Sequence, residues 1–417
     1  MCKDIPKYDF IDALRGYAIL GVLLVHSYLR VAPTSRILKI LMADGGRGVQ
    51  LFFIASALTL CMSWHHRSAQ EKYPLCNFFI RRFFRIAPLF YISIVIWIVL
   101  GFSEKCFAPN GVKWWFVPLT ALFLHGFNPE TINSVVPGDW SIAVEMNFYL
   151  ILPFLLRRLT TIRQAIYFCL FAVAVGYITT AGFEYFFYRL YPPDQHYLVD
   201  LFNYANFFNQ LPIFSFGILA YFLFKNFDAL KRLVVYADIT LIILTVVSLL
   251  VVPLNNLLKG SNFLVFGILF SLFALNIARF PVRLFVNKPI QMIGKISFSM
   301  YLSHFVVLNL FARVGFLALF GQGDVFSILY FLCVFIVTVP MSYILYVTIE
   351  RRGILLGKRV IQNLEQGVSP VAPGAAGRFF QTLQSCGLFI SRRVFSRRDL
   401  IALGTEQKIE TDLEHRA

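Results

Sequence analysis

Charge is scarce in this chain, and negative charge scarcer still: charged residues fill 14% of 417 positions, with 22 Asp and Glu against 38 Lys and Arg. Soluble domains carry about 25% charged residues, so a water-exposed surface over most of the chain is excluded. The seven cysteines (Cys2, Cys61, Cys76, Cys106, Cys169, Cys333, Cys386) are odd in number, scattered and without a CxxC pair. That excludes a disulfide framework and a zinc site, and they read as reduced packing residues. No internal repeat is present. The net charge of +16 sits in short clusters between apolar runs, with no basic stripe interleaved with exposed aromatics, so nucleic acid is not indicated as a partner.

What fills the chain is apolar: 58% of residues are hydrophobic, in recurring runs near the length that a ~30 Å hydrocarbon slab requires. The pattern predicts an all-α integral membrane protein, a bundle of about ten transmembrane helices near 9–29, 48–64, 84–102, 140–156, 164–184, 202–224, 236–254, 262–278, 290–312 and 326–349. Ile11–Ser27 imitates a signal peptide, but it carries Asp12 and Arg15 and no small-x-small cleavage site follows, so it is kept as the first span. Trp114–Phe127 is read as a re-entrant or interfacial element. If it does not cross, most loop lysines and arginines share one face, and the positive-inside rule then puts both termini in the cytoplasm of an inner or plasma membrane.

The membrane domain is expected over 1–359 and a cytoplasmic tail over 360–417. In the tail, the linker Gly367–Gly377 leads to Arg378–Arg398, whose phenylalanines and arginines suit a basic amphipathic helix on anionic membrane lipids.

Ionisable groups inside lipid are costly, which makes them functional candidates. Arg15 and His26 are eleven residues apart, which turns an α-helix by about 1100° and leaves both on one face, roughly 16 Å apart. A neutral His26 suits a base that takes a proton from a hydroxyl, and an interfacial packing histidine is the bland alternative. Glu145 enters its helix at a depth like that of His26 and could orient it, or could be a helix-end carboxylate bonded to water. Asp139 reads as an N-cap.

Arg81, Arg82 and Arg85 lie at the mouth of the third span, where guanidinium groups either grip phosphates or simply anchor the helix. Gly45–Phe53 is glycine-rich but a weak phosphate-loop signal by itself. Ser297, Ser299, Tyr301, Ser303 and His304 give one apolar helix a polar face that lines a passage or bonds its neighbours.

Taken in order, these segments resemble the acyltransferase-3 family of integral membrane acyltransferases. IDALRGYAILGVLLVHSYLR is similar to its first helix, GGRGVQLFFIASALTL to its second and FFIRRFFRIAPLFY to its arginine motif. DWSIAVEMNFYLILP is similar to its Trp-Ser…Glu…Phe-Tyr motif, IGKISFSMYLSHFVVL to a later Ser-x-Tyr-Leu-x-His helix, and SYILYVTIERR to its last helix with Glu350. Where the family usually has Ser-Gly-Phe, this chain has Ser56-Ala57-Leu58. The esterase-like domain fused to some members is not seen here.

The resemblance implies an O-acyltransferase that uses acetyl-CoA or another acyl-CoA as donor substrate, with no permanently bound cofactor or metal, and a cell-surface or lipid-linked glycan as acceptor. It implies His26 as the central catalytic group, supported by Arg15 and Glu145, with Arg81, Arg82 and Arg85 on the donor. It extends to Trp140, Tyr149, Ser297, Tyr301 and His304 at the substrates. A transporter of small polar or lipid-linked molecules is the alternative of a different class, and an inactive scaffold a third. Oligomeric state and acceptor identity stay open.

Overall fold

A computed structural model of the chain describes residues 8–101, 108–226 and 262–366. Among the described residues the structure is helical throughout. The helices are α1 (Asp9–Tyr28), α2 (Arg36–Ala43), α3 (Gly48–Arg67), α4 (Pro74–Val99), α5 (Phe116–Ala121), α6 (Trp140–Arg158) and α7 (Ile162–Leu190). They continue with α8 (His196–Ala205), α9 (Phe207–Lys225), α10 (Asn262–Arg279), α11 (Lys288–Lys295), α12 (Ser297–Arg313) and α13 (Asp324–Leu345). The last of these runs through a π-helical turn, Tyr346–Glu350, into α14 (Arg351–Gln366).

Seven helices among the described residues are long and apolar enough to cross a membrane, or eight if α11 and α12, bent by 72° at their break, count as one span. The shorter apolar helix α10 is a further element, while the span expected at 236–254, the linker and the basic tail segment lie outside the described residues. Trp114–Phe127 holds only the six-residue α5 and a single 3-10 turn at His125–Phe127, about 9 Å of helix for the former and far too little to cross.

Three expected spans differ in form. The third starts at Pro74, ten residues earlier than its apolar run, because Pro at the first helical position opens a helix whose first turns are amphipathic. The RRFFR arginines therefore lie inside α4, not ahead of it. The span expected at 290–312 is the bent pair α11 and α12, and the last helix continues past residue 359 to Gln366.

Helix α1 sits inside the bundle: Leu14, Ala18, Ile19, Val22 and Leu23 are at most 1% exposed and cover about half of its circumference. Helices α7 and α13 form its outer wall, with Leu170, Phe171, Ile178, Leu329 and Ile336 turned outward. Between helices in lipid there is little hydrophobic drive, so close approach of small residues does the packing. At Gly294 of α11 an added Cβ would lie 1.7 Å from the Asp12 carbonyl oxygen, and at Gly48 of α3 one would lie 2.3 Å from the Ala18 carbonyl oxygen. These contacts press the α11–α12 bend against the Arg15 end of α1 and lay α3 alongside it.

Candidate functional site

Helix α1 carries the two groups picked out by spacing, and each belongs to a different cavity. At the Arg15 end is a narrow cavity of about 60 Å³, lined by Arg15, Arg82, Arg85, Ser56, Thr59, Glu145, Tyr149, Ser297 and Tyr301 with apolar neighbours. At the other end is a wider one of about 470 Å³, lined by His26, Arg30, Asn133, Trp140, Tyr204, Tyr301, Phe305 and Asn309 among others. The two abut, sharing Val49 and Tyr301 as walls.

The narrow cavity is lined by five helices, α1, α3, α4, α6 and α12, with its charges on α1, α4 and α6. Arg15 lies 3.9 Å from Asp12 on its own helix and donates to Thr59 Oγ1 at 3.4 Å. Glu145 accepts from Ser56 Oγ at 2.6 Å and from the Tyr149 hydroxyl one turn along α6. Arg82 is stacked on both Phe78 and Tyr149, its guanidinium carbon 5.9 Å from each ring centre. A half-buried carboxylate facing a cavity with three guanidinium groups is held by charge as well as by hydrogen bonds.

Of the three arginines in RRFFR, only Arg82 and Arg85 line this cavity. Arg81 donates twice to Glu71, at 2.6 and 3.0 Å, and Arg67 reaches the same carboxylate at 3.6 Å. Helical phase does not separate them, since Arg85 lies about 40° from Arg81 and about 60° from Arg82; the bidentate bond to Glu71 is what takes Arg81 away from the cavity.

In the wider cavity, bonding fixes the histidine tautomers. His304 Nδ1 lies 3.0 Å from the Met300 carbonyl, to which only an N–H can be donated, so its Nε2 carries the lone pair. His26 Nδ1 lies 2.9 Å from the Val22 carbonyl and 3.2 Å from His304 Nε2, both acceptors, so it too bears the hydrogen. The basic nitrogen of a neutral His26 is therefore Nε2. Phe305 stacks edge-on to the His26 ring at 4.6 Å.

The polar face of α12 does two jobs. Tyr301 donates to the Gly138 carbonyl at 2.8 Å and accepts from Ser141 at 2.8 Å, tying the loop before α6 to α12. Ser299 donates to Glu350 at 2.7 Å, and Ser303 bonds Ser342 at 2.8 Å.

Sequence reading set Glu145 beside His26 by depth. The structure puts Glu145 among the arginines of the narrow cavity and gives His26 a histidine neighbour in His304. Asp139 makes no side-chain cap to α6; its carboxylate accepts from the Val136 amide at 3.3 Å and lies 3.6 Å from His125. Burial pushes His125 down to about 4 and raises the Asp139 carboxyl, each shift disfavouring the charged form.

Trp140 lines the His26 cavity, Tyr149 and Ser297 the arginine cavity, and Tyr301 both. Residues not singled out beforehand include Asp12, Ser56, Thr59, Tyr204, Asn133 and Asn309. Ser56 and Thr59 had a signal, being polar and three apart in an apolar helix, but the asparagines lie in a loop and at a helix end, where amides are ordinary. A third cavity of about 610 Å³ between α7, α9 and α10 shares Gly46 and Tyr204 with the His26 cavity.

A family model described as an acyltransferase domain matches residues 8–347. O-acetyltransferase OatA of Staphylococcus aureus (strain NCTC 8325 / PS 47) is 25% identical over 337 residues, covering 73% of this chain and 51% of the relative. The putative O-acetyltransferase SACOL0978 of S. aureus (strain COL) is 24% identical over 332 residues, 72% of this chain and 50% of that protein. The chain thus spans about half the length of the curated relatives it matches. No solved structure matches at a significant level. With its motifs in order and a match over most of its length, the chain belongs to the acyltransferase-3 family of multi-pass membrane proteins.

Proposed function

We propose that this protein transfers an acyl group, acetyl foremost, from a coenzyme A thioester to a hydroxyl of a cell-surface or lipid-linked glycan, in an inner or plasma membrane. The observation that carries the reading is the pair of abutting cavities, one lined by guanidinium groups and the other holding a histidine with aromatic and amide walls. Phosphates and thioester carbonyls are acceptors for guanidinium N–H groups. Sugars meet aromatic faces and amides, as Trp140, Tyr204, Asn133 and Asn309 provide.

In this reading Arg82 and Arg85 draw the donor from the cytoplasmic side, and its narrow pantetheine arm enters the 60 Å³ cavity toward Tyr301. The acceptor occupies the His26 cavity. His26 Nε2 takes the hydroxyl proton as the oxygen attacks the thioester carbonyl carbon; the C–S bond breaks, and coenzyme A leaves as thiolate that recovers the proton. His304 holds the His26 ring through Nδ1–H, and Glu145 balances Arg15 and Arg85 on the donor side.

The test is release of free coenzyme A from acetyl-CoA by purified protein, together with mass spectrometry of surface glycans from cells with and without the gene. An acetyl increment that vanishes in His26→Ala is the expected result. An acetyl-histidine trapped in a single turnover without acceptor would sink direct transfer. Substrate counterflow that persists in His26→Ala with no coenzyme A release would replace the enzyme by a transporter.

A further inference from the structure

The last span is interrupted where it packs against α4, the helix that bears Arg82 and Arg85. Tyr346–Glu350 is a π-helical turn, a form that holds well under 1% of residues in proteins and recurs at functional sites. Its effect here is rotational. Upstream, Thr338 and Ser342 are fully buried and mark the inward face. Eight α-helical steps from Ser342 to Glu350 would turn about 800°, leaving Glu350 roughly 80° off that face. One extra residue absorbed by the π turn makes the separation equivalent to seven steps, about 700°, within roughly 20° of two full turns. Glu350 is accordingly 3% exposed.

A carboxylate carried inward at that depth needs partners. Ser299 donates to Glu350 Oε2 at 2.7 Å. The charge of Glu350 acts most strongly on Arg85 and then on Arg15. The following helix is docked so that this holds. An added Cβ at Gly353 would lie 2.8 Å from the carbonyl oxygen of Phe84, the residue before Arg85, and one at Gly357 would lie 2.8 Å from the Phe84 side chain. Backbone contact thus locks α14 to the turn of α4 that bears Arg85.

The charges of Glu145 and, more weakly, Asp12 also act on Arg85. With Glu145 alone, a desolvated guanidinium would close on it and fill a cavity of only about 60 Å³. We infer that Glu350 is a positioning residue for donor binding: from the π turn it holds Arg85 off Glu145, keeping the arginine turned to the acyl-CoA and the narrow cavity open. The inference rests on the donor reading above and adds to it a residue, with a backbone device, that acts through Arg85.

The test is a double-mutant cycle read by equilibrium binding of radiolabelled acetyl-CoA to the purified full-length protein in detergent, which needs no acceptor. Glu350→Gln keeps shape and removes charge; it raises the acetyl-CoA Kd roughly tenfold, and less than about twofold when Arg85 is already Gln, because a residue that acts through Arg85 has nothing left to position. Ser299→Ala, which removes only the hydrogen bond holding the carboxylate, raises Kd about threefold in the parent and not in Arg85→Gln. If Glu350→Gln does not yield monodisperse protein, the Ser299→Ala arm decides by itself. Additive losses in the two backgrounds, or an unchanged Kd in Glu350→Gln, overturn the role of Glu350 while leaving the donor reading intact. A parent protein that binds no acetyl-CoA overturns the donor reading and this inference together.

Discussion

The two ends of α1 are built on opposite principles. At Arg15 the cavity is narrow and crowded with full charges drawn from α1, α4 and α6, each guanidinium matched by a carboxylate or an aromatic face. At His26 the space is several times larger, and its lining is aromatic, amide and hydroxyl, with Arg30 at its edge. Charge grips a ligand whose ionic chemistry is fixed, as a phosphorylated thioester is. A roomy amphipathic wall accommodates a ligand that must present one hydroxyl in one place. Tyr301 and Val49 are what lie between, and on the proposed function the reacting atoms would meet there, where one chemistry gives way to the other.

The sharpest break of this contrast is at the histidine. His26→Ala lowers the turnover of acetyl transfer roughly a thousandfold, the scale of a lost general base, while the Kd for acetyl-CoA stays within about twofold. A comparable loss of donor binding would merge the two ends into one site. Next in size, Arg82→Gln or Arg85→Gln raises the acetyl-CoA KM roughly 10- to 100-fold, the worth of one charge-assisted hydrogen bond, with kcat changed far less. Initial rates over a donor concentration series separate the two parameters.

His304→Ala costs about tenfold in kcat by freeing the His26 ring, with donor binding preserved. His304→Gln, which keeps an acceptor near His26 Nδ1–H, recovers part of it, whereas a purely space-filling role would be better met by Phe. Smallest is Arg81→Gln. It leaves donor KM within about twofold, because Arg81 is spent on Glu71, and it lowers stability by about 1 kcal/mol, seen as a small fall in Tm. A large KM effect at Arg81 would enlarge the donor site beyond the narrow cavity.

Much of the architecture was legible in advance because lipid imposes its demand on each helix separately. A helix of ~20 apolar residues is chosen by solvent alone, so α1, α3, α6 and α7 fall close to their expected ranges, and the short helices at 116–127 do not cross. The bend between α11 and α12 was not legible, since the apolar run continues through it. Nor was the early start of α4, whose first turns are amphipathic.

For the site, the Arg15–His26 spacing found both cavities, because helical phase is a local property. Depth alone joined Glu145 to His26, and depth cannot tell which way round its helix a residue faces. Arg81 and Arg82 are neighbours in sequence, yet the bond to Glu71 takes one away while the other lines the cavity.

Taken by itself, then, the amino-acid order determined that this chain lives in a membrane, that helices carry it across, and which ionisable residues are placed in lipid at a cost that demands partners. The tertiary structure decided which partners those are. His26 meets His304 across 278 positions, and Ser299 meets Glu350 across 51. These pairs depend on glycines that let backbones touch and on one extra residue in a π turn. Such contacts are set by the angle and phase at which helices pack, and neither is encoded in any single helix.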